Sequence, residues 1–436
     1  MEPGKKRRIF LVTSLGLPLI IFVSLLTVNI ATSSAWKAEK IDWTVVGWED
    51  TQLLADESDG LHLLYVGNAF SYFALTYAKC TDGVWNVTDL FRVTHSLQDF
   101  EMALDPNGSA HIFSCFDYVS NLTCVTNKDG NWSVEEIGWN TYRNHDSIAA
   151  AVDSNGTIHL IDDAQFTPFY NRSLLHVWNA GSGWQTELIA DFPADTSLWL
   201  DACEVDSSGN LHFLVRTWGS QFELIHGYQQ NGHWVLENIT QLGWSRKASM
   251  TIDSSDRVHV GYCQFTGNDS YCLMYGVREN GVWSISQLWE TSNRYPEGVG
   301  IDLDKTGNVH LAYATNDRGF NHSLWHAYQI GDSWQKEIVT DDCGGLAFGP
   351  GPSFALDEQG APHLGLINFD TGSVLHYTNK FTAADRWVPA SKAYFATMVF
   401  AVPEGVLIGL VSLANNRRAK RIGLEEARFE AFGIRK

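Results

Sequence analysis

Charged residues are scarce in this chain, and positive ones are the scarcest. Asp, Glu, Lys and Arg make up 18% of the 436 residues, below the roughly 25% of typical soluble domains, which disfavours long solvated helices. The net charge of −20 excludes nucleic acid as a partner, because phosphates require the opposite sign. The sequence also lacks a phosphate-binding glycine loop, zinc-type Cys/His spacing and a nucleophile elbow. These absences exclude the common nucleotide, zinc and α/β-hydrolase sites.

Length and apolar content show that the chain folds. Hydrophobic residues make up 44% and aromatic residues 13%, which rules out a disordered chain. A chain of 436 residues is too long for one ordinary compact core, so it forms several domains or one repeat architecture. No stretch between 40 and 390 has sustained helical periodicity, so β-structure is expected there.

Positive charge is concentrated at the two ends of the chain, beside apolar runs. A KKRR sequence precedes a long apolar run and small residues through Ala35. This pattern predicts an export signal in residues 1–35, either a signal peptide cut after Ala35 or an uncut membrane anchor. Residues 395–414 are predicted to be a C-terminal transmembrane helix and 415–436 a basic cytoplasmic tail, by the positive-inside rule. The acidic middle is then expected outside the cell, anchored to its surface.

Exported chains form disulfides and carry glycans, and both are predicted here. The seven cysteines suit an oxidising compartment. Cys115 and Cys124 are predicted to form one bridge and Cys263 and Cys272 another, because each pair starts at the same point of a repeat. The remaining cysteines are left unassigned: Cys80, Cys203 and Cys343. The predicted glycosylation sites are Asn86, Asn107, Asn121, Asn131, Asn155, Asn171, Asn238, Asn268 and Asn321.

One unit recurs seven times through the middle of the chain. Its first element is D-x-x-G-x-x-H, in which Asp replaces Gly at positions 59 and 256. The copies begin at Asp56, Asp105, Asp153, Asp206, Asp253, Asp304 and Asp357. Its second element is a Leu followed by a Gly turn and a Trp, as in Leu174 to Trp184, and the loosest copy ends at Trp387. Steps of 47 to 53 residues indicate a propeller or an array.

Each unit is interpreted as four short antiparallel strands. The first ends at the Asp, the second starts at the His, the third at the Leu, and the fourth opens with the Trp. Seven such units predict an all-β, seven-bladed β-propeller of four-stranded antiparallel blades over residues 41–389, flanked by N- and C-terminal hydrophobic helices. An entering strand at Trp43 is expected to pair beside residues 374–379 and close the ring. It is preferred to Trp387, which runs into Pro389.

The repeats resemble those of Asp-box propellers of the sialidase-like superfamily, and more closely those of secreted seven-bladed propellers with D-x-x-G-x-x-H repeats. The resemblance covers residues 43–387 and implies the propeller fold. In the sialidase Asp box the Gly lies two residues after the Asp, whereas here it lies three residues after. The resemblance is therefore specific for the fold and not for an activity.

The repeated Asp, His and Trp are expected to be structural. Equivalent residues of different blades lie far apart, so seven His cannot share one metal ion, and no metal site is predicted. Each Asp and His is expected to bond within its own blade, and each Trp to fill the space between blades. The extra third-strand histidines are expected to be structural too: His176, His226, His326 and His376.

Function is expected where the repeats differ, in the loops of one face. Aromatic residues there alternate with carboxylates and Arg, a combination that suits sugar rings. The predicted ligand-binding residues are Asp50, Asp99, Arg143, His145, Asp146, Trp199, Asp201, Arg246, Arg294, Tyr295 and Glu297. The sequence therefore favours a cell-surface propeller that binds an extracellular glycan or protein.

The alternative is a sialidase-like glycoside hydrolase or a polysaccharide lyase. Glycoside cleavage needs two carboxylates roughly 5–10 Å apart. Asp146 and Glu297 start inner strands that converge on the axis, so they are the candidate catalytic pair. No cofactor is predicted, although the same acidic ring could hold Ca²⁺ with carboxylate and carbonyl oxygens.

Overall fold

In the computed structural model of the chain, every described secondary-structure element is a β-strand. The structure describes residues 36–43, 51–69, 72–93, 97–116, 122–137, 143–166, 172–219, 222–241, 247–267, 270–292, 295–316, 322–344, 352–368 and 370–379. All of them belong to one compact unit, Trp36–Asn379. This described part contains no helix that is long and apolar enough to cross a membrane. The predicted terminal segments 1–35, 395–414 and 415–436 lie outside it.

Seven four-stranded antiparallel sheets form the blades predicted from the repeat. Each blade is given with the strand nearest the axis first. Blade 1 contains β2 (Thr51–Ala55), β3 (Leu61–Ala69), β4 (Tyr72–Thr81) and β5 (Val84–Val93). Blade 2 contains β6 (Leu97–Leu104), β7 (Ala110–Phe116), β8 (Leu122–Thr126) and β9 (Ser133–Ile137). Blade 3 contains β10 (Arg143–Val152), β11 (Ile158–Phe166), β12 (Arg172–Asn179) and β13 (Trp184–Phe192).

The later blades follow the same plan, except that the last one takes a strand from the start of the chain. Blade 4 contains β14 (Ser197–Val205), β15 (Leu211–Trp218), β16 (Glu223–Gln230) and β17 (His233–Gln241). Blade 5 contains β18 (Ser249–Ile252), β19 (Val258–Gly267), β20 (Ser270–Glu279) and β21 (Val282–Ser292). Blade 6 contains β22 (Tyr295–Leu303), β23 (Val309–Asn316), β24 (His322–Ile330) and β25 (Ser333–Thr340). Blade 7 contains β26 (Ser353–Leu356), β27 (Pro362–Asn368), β28 (Ser373–Thr378) and β1 (Lys37–Trp43).

β1 closes the ring by pairing antiparallel with β28, with Trp43 opposite Ser373. This confirms the prediction that an N-terminal strand pairs beside residues 374–379. The strand ends at Trp43, however, where the sequence pattern places its beginning. Trp387, the competing candidate for this position, lies outside the described residues.

Trp36, immediately before β1, is the seventh copy of the repeated Trp. In three other blades the Trp that opens the outer strand packs edge-to-face on a third-strand His of the preceding blade. Trp85, for example, lies on His376 with ring centroids 5.2 Å apart. Trp36 lies in the same way on His326, at 5.4 Å, and is only 7% exposed. The sequence pattern offers Trp43, at the start of the preferred closing strand, and Trp387, the loosest copy, for this place. Trp36 takes it because the closing strand begins just after Trp36 and ends at Trp43.

The repeated Asp organises the turn after each inner strand, as predicted. In all seven copies one carboxylate oxygen accepts the backbone N–H groups two and four residues later. The other oxygen faces the repeated His of the same blade at 3.0–3.9 Å. Burial opposes ionisation of Asp56, but hydrogen bonds from His62 and two backbone N–H groups outweigh it and lower the pKa of Asp56 to about 2.

Asp replaces the turn Gly in two copies, and both Asp residues have positive φ. Asp59 has φ 63° and Asp256 has φ 60°, in the left-handed region that favours Gly. Each uses its carboxylate to reach the turn of the preceding blade. Asp256 accepts the Ser207 N–H at 2.8 Å and the Ser207 hydroxyl at 2.7 Å. The contact between neighbouring turns offsets the strained backbone.

Substitution of Asp256 separates these two effects. Asp256→Ala keeps the positive φ and loses both bonds to Ser207, so we expect the free energy of unfolding to fall by about 1–2 kcal/mol. Asp256→Gly loses the same bonds but removes the strain, so we expect a loss about 1 kcal/mol smaller. Urea unfolding of the two variants measures the difference. Equal losses would show that positive φ costs nothing at this position.

The hydrophobic core is divided among the seven interfaces between neighbouring blades. The described residues form seven clusters, and each cluster draws its members from two adjacent blades. Between blades 3 and 4, for example, Ile161 packs with Phe213, and both are fully buried. Equivalent residues of different blades are therefore held in separate clusters around the ring.

The predicted disulfide between Cys263 and Cys272 is wrong. None of the seven cysteines, all of which lie among the described residues, is in a disulfide. Cys263 packs in the core between blades 5 and 6, whereas Cys272 packs in the core between blades 4 and 5. The two thiols therefore point to opposite faces of blade 5, because side chains alternate along a strand.

The predicted bridge between Cys115 and Cys124 is also absent, for a different reason. Both thiols lie on one face of blade 2, but Cys124 is directly opposite Phe113. Cys115 and Cys124 are therefore diagonal neighbours, which lie about 7–8 Å apart in a typical sheet, with a somewhat shorter distance between their Cβ atoms. A disulfide requires Cβ atoms roughly 3.5–4.5 Å apart. Strand register decides whether either cysteine pair can form a disulfide, and the equal spacing of the two pairs in sequence does not reveal that register.

Five of the predicted glycosylation sites lie in the described part of the chain, and all five are exposed: Asn86, Asn107, Asn131, Asn155 and Asn238. The others lie outside the described residues: Asn121, Asn171, Asn268 and Asn321. Exposure is what glycan attachment requires of an acceptor Asn. Glycosylation itself stays a prediction for all nine positions.

Candidate functional site

The inner strands surround an axial cavity of about 400 Å³. Small residues such as Ala150, Ala202 and Gly300 line it, as the sequence leads one to expect of strands crowded around an axis. The inner strands run from one face, here called the loop face, to the other, here called the turn face. The turn face carries the D-x-x-G turns, and the predicted ligand-binding residues belong to the loop face.

Hydrogen bonds link the inner-strand segments at all seven junctions between blades. In ring order from blades 1–2 to blades 7–1, they join Gln52 to Met102, Asp99 to Ile148, Ser147 to Leu200, Asp201 to Ala248, Lys247 to Val299, Asp302 to Leu356 and Thr51 to Ser353. Most of them pair a side chain with a backbone N–H, so they need no regular strand pairing between blades. This belt fixes the width of the cavity.

Asp99, one of the predicted ligand-binding residues, is part of this belt. Its carboxylate accepts the Ile148 N–H at 2.9 Å and the Ser147 hydroxyl at 3.0 Å, both from the next blade. Burial raises the pKa of Asp99 to about 6, although these donors oppose the rise. In the structure Asp99 connects blade 2 to blade 3 through these hydrogen bonds. Its contact with a ligand stays a prediction.

Glu204 and Asp302 line the cavity and are absent from the predicted set. Burial raises the pKa of Glu204 to about 8, and the nearby charge of Asp302 adds to the rise. Burial also raises the pKa of Asp302 to about 6. A signal was present in the sequence, because both acids lie two residues before a repeat Asp, where the other repeats carry Ala, Thr or Leu.

An aromatic platform occupies the loop-face end of blade 4. It consists of Trp199 in β14, Trp218 in β15 and Phe222, which precedes β16. The Trp199 and Trp218 rings meet edge-to-face at 5.6 Å, and the Trp218 and Phe222 rings at 4.7 Å. Trp199 is 36% exposed and Trp218 is 40% exposed, so both indoles present ring surface to solvent. Exposed large aromatics in contact with each other are typical of binding surfaces.

An ion pair between Arg216 and Asp201 packs against the Trp199 ring of the platform. The Arg216 guanidinium donates two hydrogen bonds to the Asp201 carboxylate and lies 5.4 Å from the centre of the Trp199 ring. Asp201 also accepts the Ala248 N–H at 3.1 Å, which connects the platform to blade 5. The structure therefore brings together two predicted residues, Trp199 and Asp201. Sequence reasoning missed Arg216 as the link between them.

Five more predicted residues lie in strands at the same face, with only their backbone described: Arg143, His145 and Asp146 in β10, and Tyr295 and Glu297 in β22. Strand register shifts between His145 and Ser147 and between Glu297 and Val299. Such bulges re-aim side chains and occur often beside functional sites. The remaining members of the predicted set lie outside the described residues: Asp50, Arg246 and Arg294.

A metal centre is not formed by the described residues. No group of three or more His, Cys, Asp or Glu among them has the arrangement needed to hold an ion. The acidic positions considered for Ca²⁺ include residues whose side chains are not described, so that possibility stays a hypothesis.

Comparison with known proteins identifies similar folds only. No protein-family model and no curated protein matches the sequence. A protein of unknown function from Dyadobacter fermentans is similar in structure, with 13% identity and a TM-score of 0.47 over 69% of this chain and 99% of that one. AofleA from Arthrobotrys oligospora has 11% identity and a TM-score of 0.46 over 70% and 90%. The K499G mutant of the NanB sialidase from Streptococcus pneumoniae has 11% identity and a TM-score of 0.44 over 80% and 71%.

Proposed function

We propose that this chain is an extracellular, cell-surface propeller that binds a glycan at its loop face, with the aromatic platform of blade 4 as the principal contact. The exposed, mutually packed indoles of Trp199 and Trp218 carry this proposal. The C–H faces of a sugar ring stack on such surfaces, while nearby polar groups bind its hydroxyls. Arg216 and Asp201 hold the platform rigid, which lowers the entropic cost of binding.

The proposed test measures binding of the full chain, purified in detergent, to a panel of neutral and anionic oligosaccharides. We expect Trp199→Ala and Trp218→Ala each to weaken the best ligand at least about tenfold, or ~1.4 kcal/mol, because each removes a stacking surface. Trp43→Ala is the matched control. Trp43 is 62% exposed but belongs to the outer strand of blade 7, so we expect unchanged affinity.

Product analysis in the same experiment addresses the enzymatic alternative. A binding protein leaves the oligosaccharide intact, whereas a hydrolase creates new reducing ends and a lyase creates unsaturated ends. Products whose formation is abolished by Asp146→Ala or Glu297→Ala would replace the binding proposal with an enzymatic one. Binding of a protein ligand, with no affinity for any glycan, would also contradict it.

The proposed location rests on the terminal segments. The export signal in 1–35, the apolar stretch 395–414 and the basic tail 415–436 support a chain anchored with its propeller outside. A cut after Ala35 would leave Trp36 and every described strand intact. Mass spectrometry of the chain from cells decides between the two N-terminal alternatives, since a mature peptide that starts at Trp36 refutes an uncut anchor.

A further inference from the structure

Four blades contain a pair of facing histidines, all of them buried except His310, which is largely buried. One His belongs to the D-x-x-G-x-x-H repeat and the other to the third strand. The pairs are His159–His176, His212–His226, His310–His326 and His363–His376. In each pair the Nδ1 of the first ring lies 2.9–3.0 Å from the Nε2 of the second. Blades 1 and 5 have a Tyr at the second position instead.

Protonation is expected to destabilise a His pair of this geometry. In the neutral pair one hydrogen lies between the two facing nitrogens. If one ring ionises, a positive charge is buried between blades. If both rings ionise, two N–H groups face each other and the hydrogen bond is lost. In blades 1 and 5 the Tyr hydroxyl donates to the His Nδ1, as Tyr77 does to His62 at 2.7 Å, and this Tyr does not ionise at acidic pH.

Two of the four pairs hold the strand that closes the ring. Trp36, at the start of β1, packs on His326 of blade 6. Glu39, within β1, lies 3.7 Å from the Nδ1 of His376 and accepts the indole N–H of Trp85 from blade 1 at 3.2 Å. β1 therefore contacts one His pair in blade 6 and one in its own blade, and Glu39 also connects it to Trp85 of blade 1. The pairing of β1 with β28, which closes the ring, is here called the seam.

β1 also differs from the other outer strands in its covalent connections. β13, β17, β21 and β25 each follow the third strand of their own blade through a short turn. β1 has no such turn, because β28 lies at the other end of the described chain. Among the described residues, strand pairing with β28 and side-chain contacts hold β1 in blade 7, so weakening those contacts is expected to affect it more than the outer strands that follow their own third strand.

We propose that acidification opens the propeller at this seam, because protonation of the His310–His326 and His363–His376 pairs releases β1 while the other blades remain folded. This is a pH-sensitive switch built into the closure of the ring. It concerns the scaffold and does not depend on what binds at the loop face.

The charged groups around the two pairs determine the direction of the pH effect. The groups that face them are Asp304, Glu337, Asp357, Glu39 and, beside Glu39, Lys37. Burial lowers the pKa of His310 to about 4 and lowers that of His376 as well. The nearby His376 imidazole lowers the pKa of Glu39. Histidines with lowered pKa bind more protons when unfolded, so their destabilisation begins as the pH falls below the ordinary value of about 6.5 and grows towards pH 4.

The test follows hydrogen exchange of the full chain between pH 7.5 and pH 4, corrected for the intrinsic pH dependence of exchange. We expect β1 to lose protection at least about tenfold more than β13 as the pH falls. β13 is the matched reference because it is the outer strand of blade 3, which has its own pair, His159–His176. Equal loss in both strands, or pH-independent protection of β1, would overturn the proposal.

Replacement by Tyr converts a His pair into the arrangement of blades 1 and 5. We expect His376→Tyr to move the opening of β1 to lower pH by about one unit. His176→Tyr in blade 3 is the control and is expected to leave the opening of β1 unchanged. An equal shift in both variants would contradict a role for the seam. If His376→Tyr fails to fold at pH 7.5, the comparison of β1 with β13 in the unmodified chain still decides the question.

Discussion

Trp36→Ala is expected to lower the free energy of unfolding by about 3–5 kcal/mol, the range for removing a large buried aromatic side chain. Trp36 is 7% exposed and packs with Phe354, Leu364 and Tyr377 in the core between blades 6 and 7. It also covers His326. Its loss therefore leaves a cavity beside the only strand that joins the two ends of the described chain. Urea unfolding followed by tryptophan fluorescence measures the effect.

Trp43→Ala is the control for Trp36→Ala, since the two Trp residues lie at opposite ends of the same strand. Trp43 is 62% exposed, and its indole N–H donates to the Thr371 carbonyl at 2.9 Å. We expect its removal to cost about 1 kcal/mol, the value of one hydrogen bond. If the two variants lose the same stability, the role of Trp36 as the seventh repeated Trp is refuted.

Gly227→Ala is expected to cost about 3 kcal/mol or more, although it adds a single methyl group. Gly227 in β16 lies directly opposite Phe213 in β15. A Cβ at Gly227 would lie far closer to Phe213 Cζ than the van der Waals contact distance between two carbons. The Phe213 ring is fully buried and has no space to retreat, so the added carbon forces it off its rotamer or moves the strand. Urea unfolding again measures the loss.

A double-mutant cycle identifies the cause. Phe213→Leu alone is expected to cost about 1–2 kcal/mol through a cavity. Combined with Gly227→Ala, the smaller side chain gives the new Cβ room, so the double variant is expected to be more stable than the sum of the single losses by about 1–2 kcal/mol. Strict additivity would show that the strain at Gly227 arises elsewhere, for example from its backbone.

The blade architecture was predictable because it is encoded locally. The turn at each D-x-x-G-x-x-H depends on contacts within seven residues, such as those between Asp56, Gly60 and His62. A local rule that recurs at a steady period specifies strand number and blade number without knowledge of any long-range contact. The structural role of His176 and its equivalents followed from the same periodicity.

The candidate site was predicted less completely, since its members come from different strands. Trp199 and Asp201 were recognised as departures from the repeat, but Arg216 lies on the neighbouring strand and joins them only through cross-strand geometry. For Glu204 and Asp302 the sequence signal was present, but its chemical consequence was not. They depart from the repeat visibly, yet their raised pKa values come from burial beside the axis, which sequence does not report.

By itself, the sequence determined seven blades of four antiparallel strands, the Asp-centred turns and the closure by an N-terminal strand, because each depends on short-range spacing or on a missing partner at the chain ends. Only the tertiary structure decided which Trp completes the repeat, which cysteines share a face, and which side chains meet at the axis and on the platform. Those outcomes depend on strand register and ring closure, which bring together residues 300 or more positions apart, such as Gln359 and Asp59. Local spacing does not encode contacts over that distance, and the packing of whole blades does.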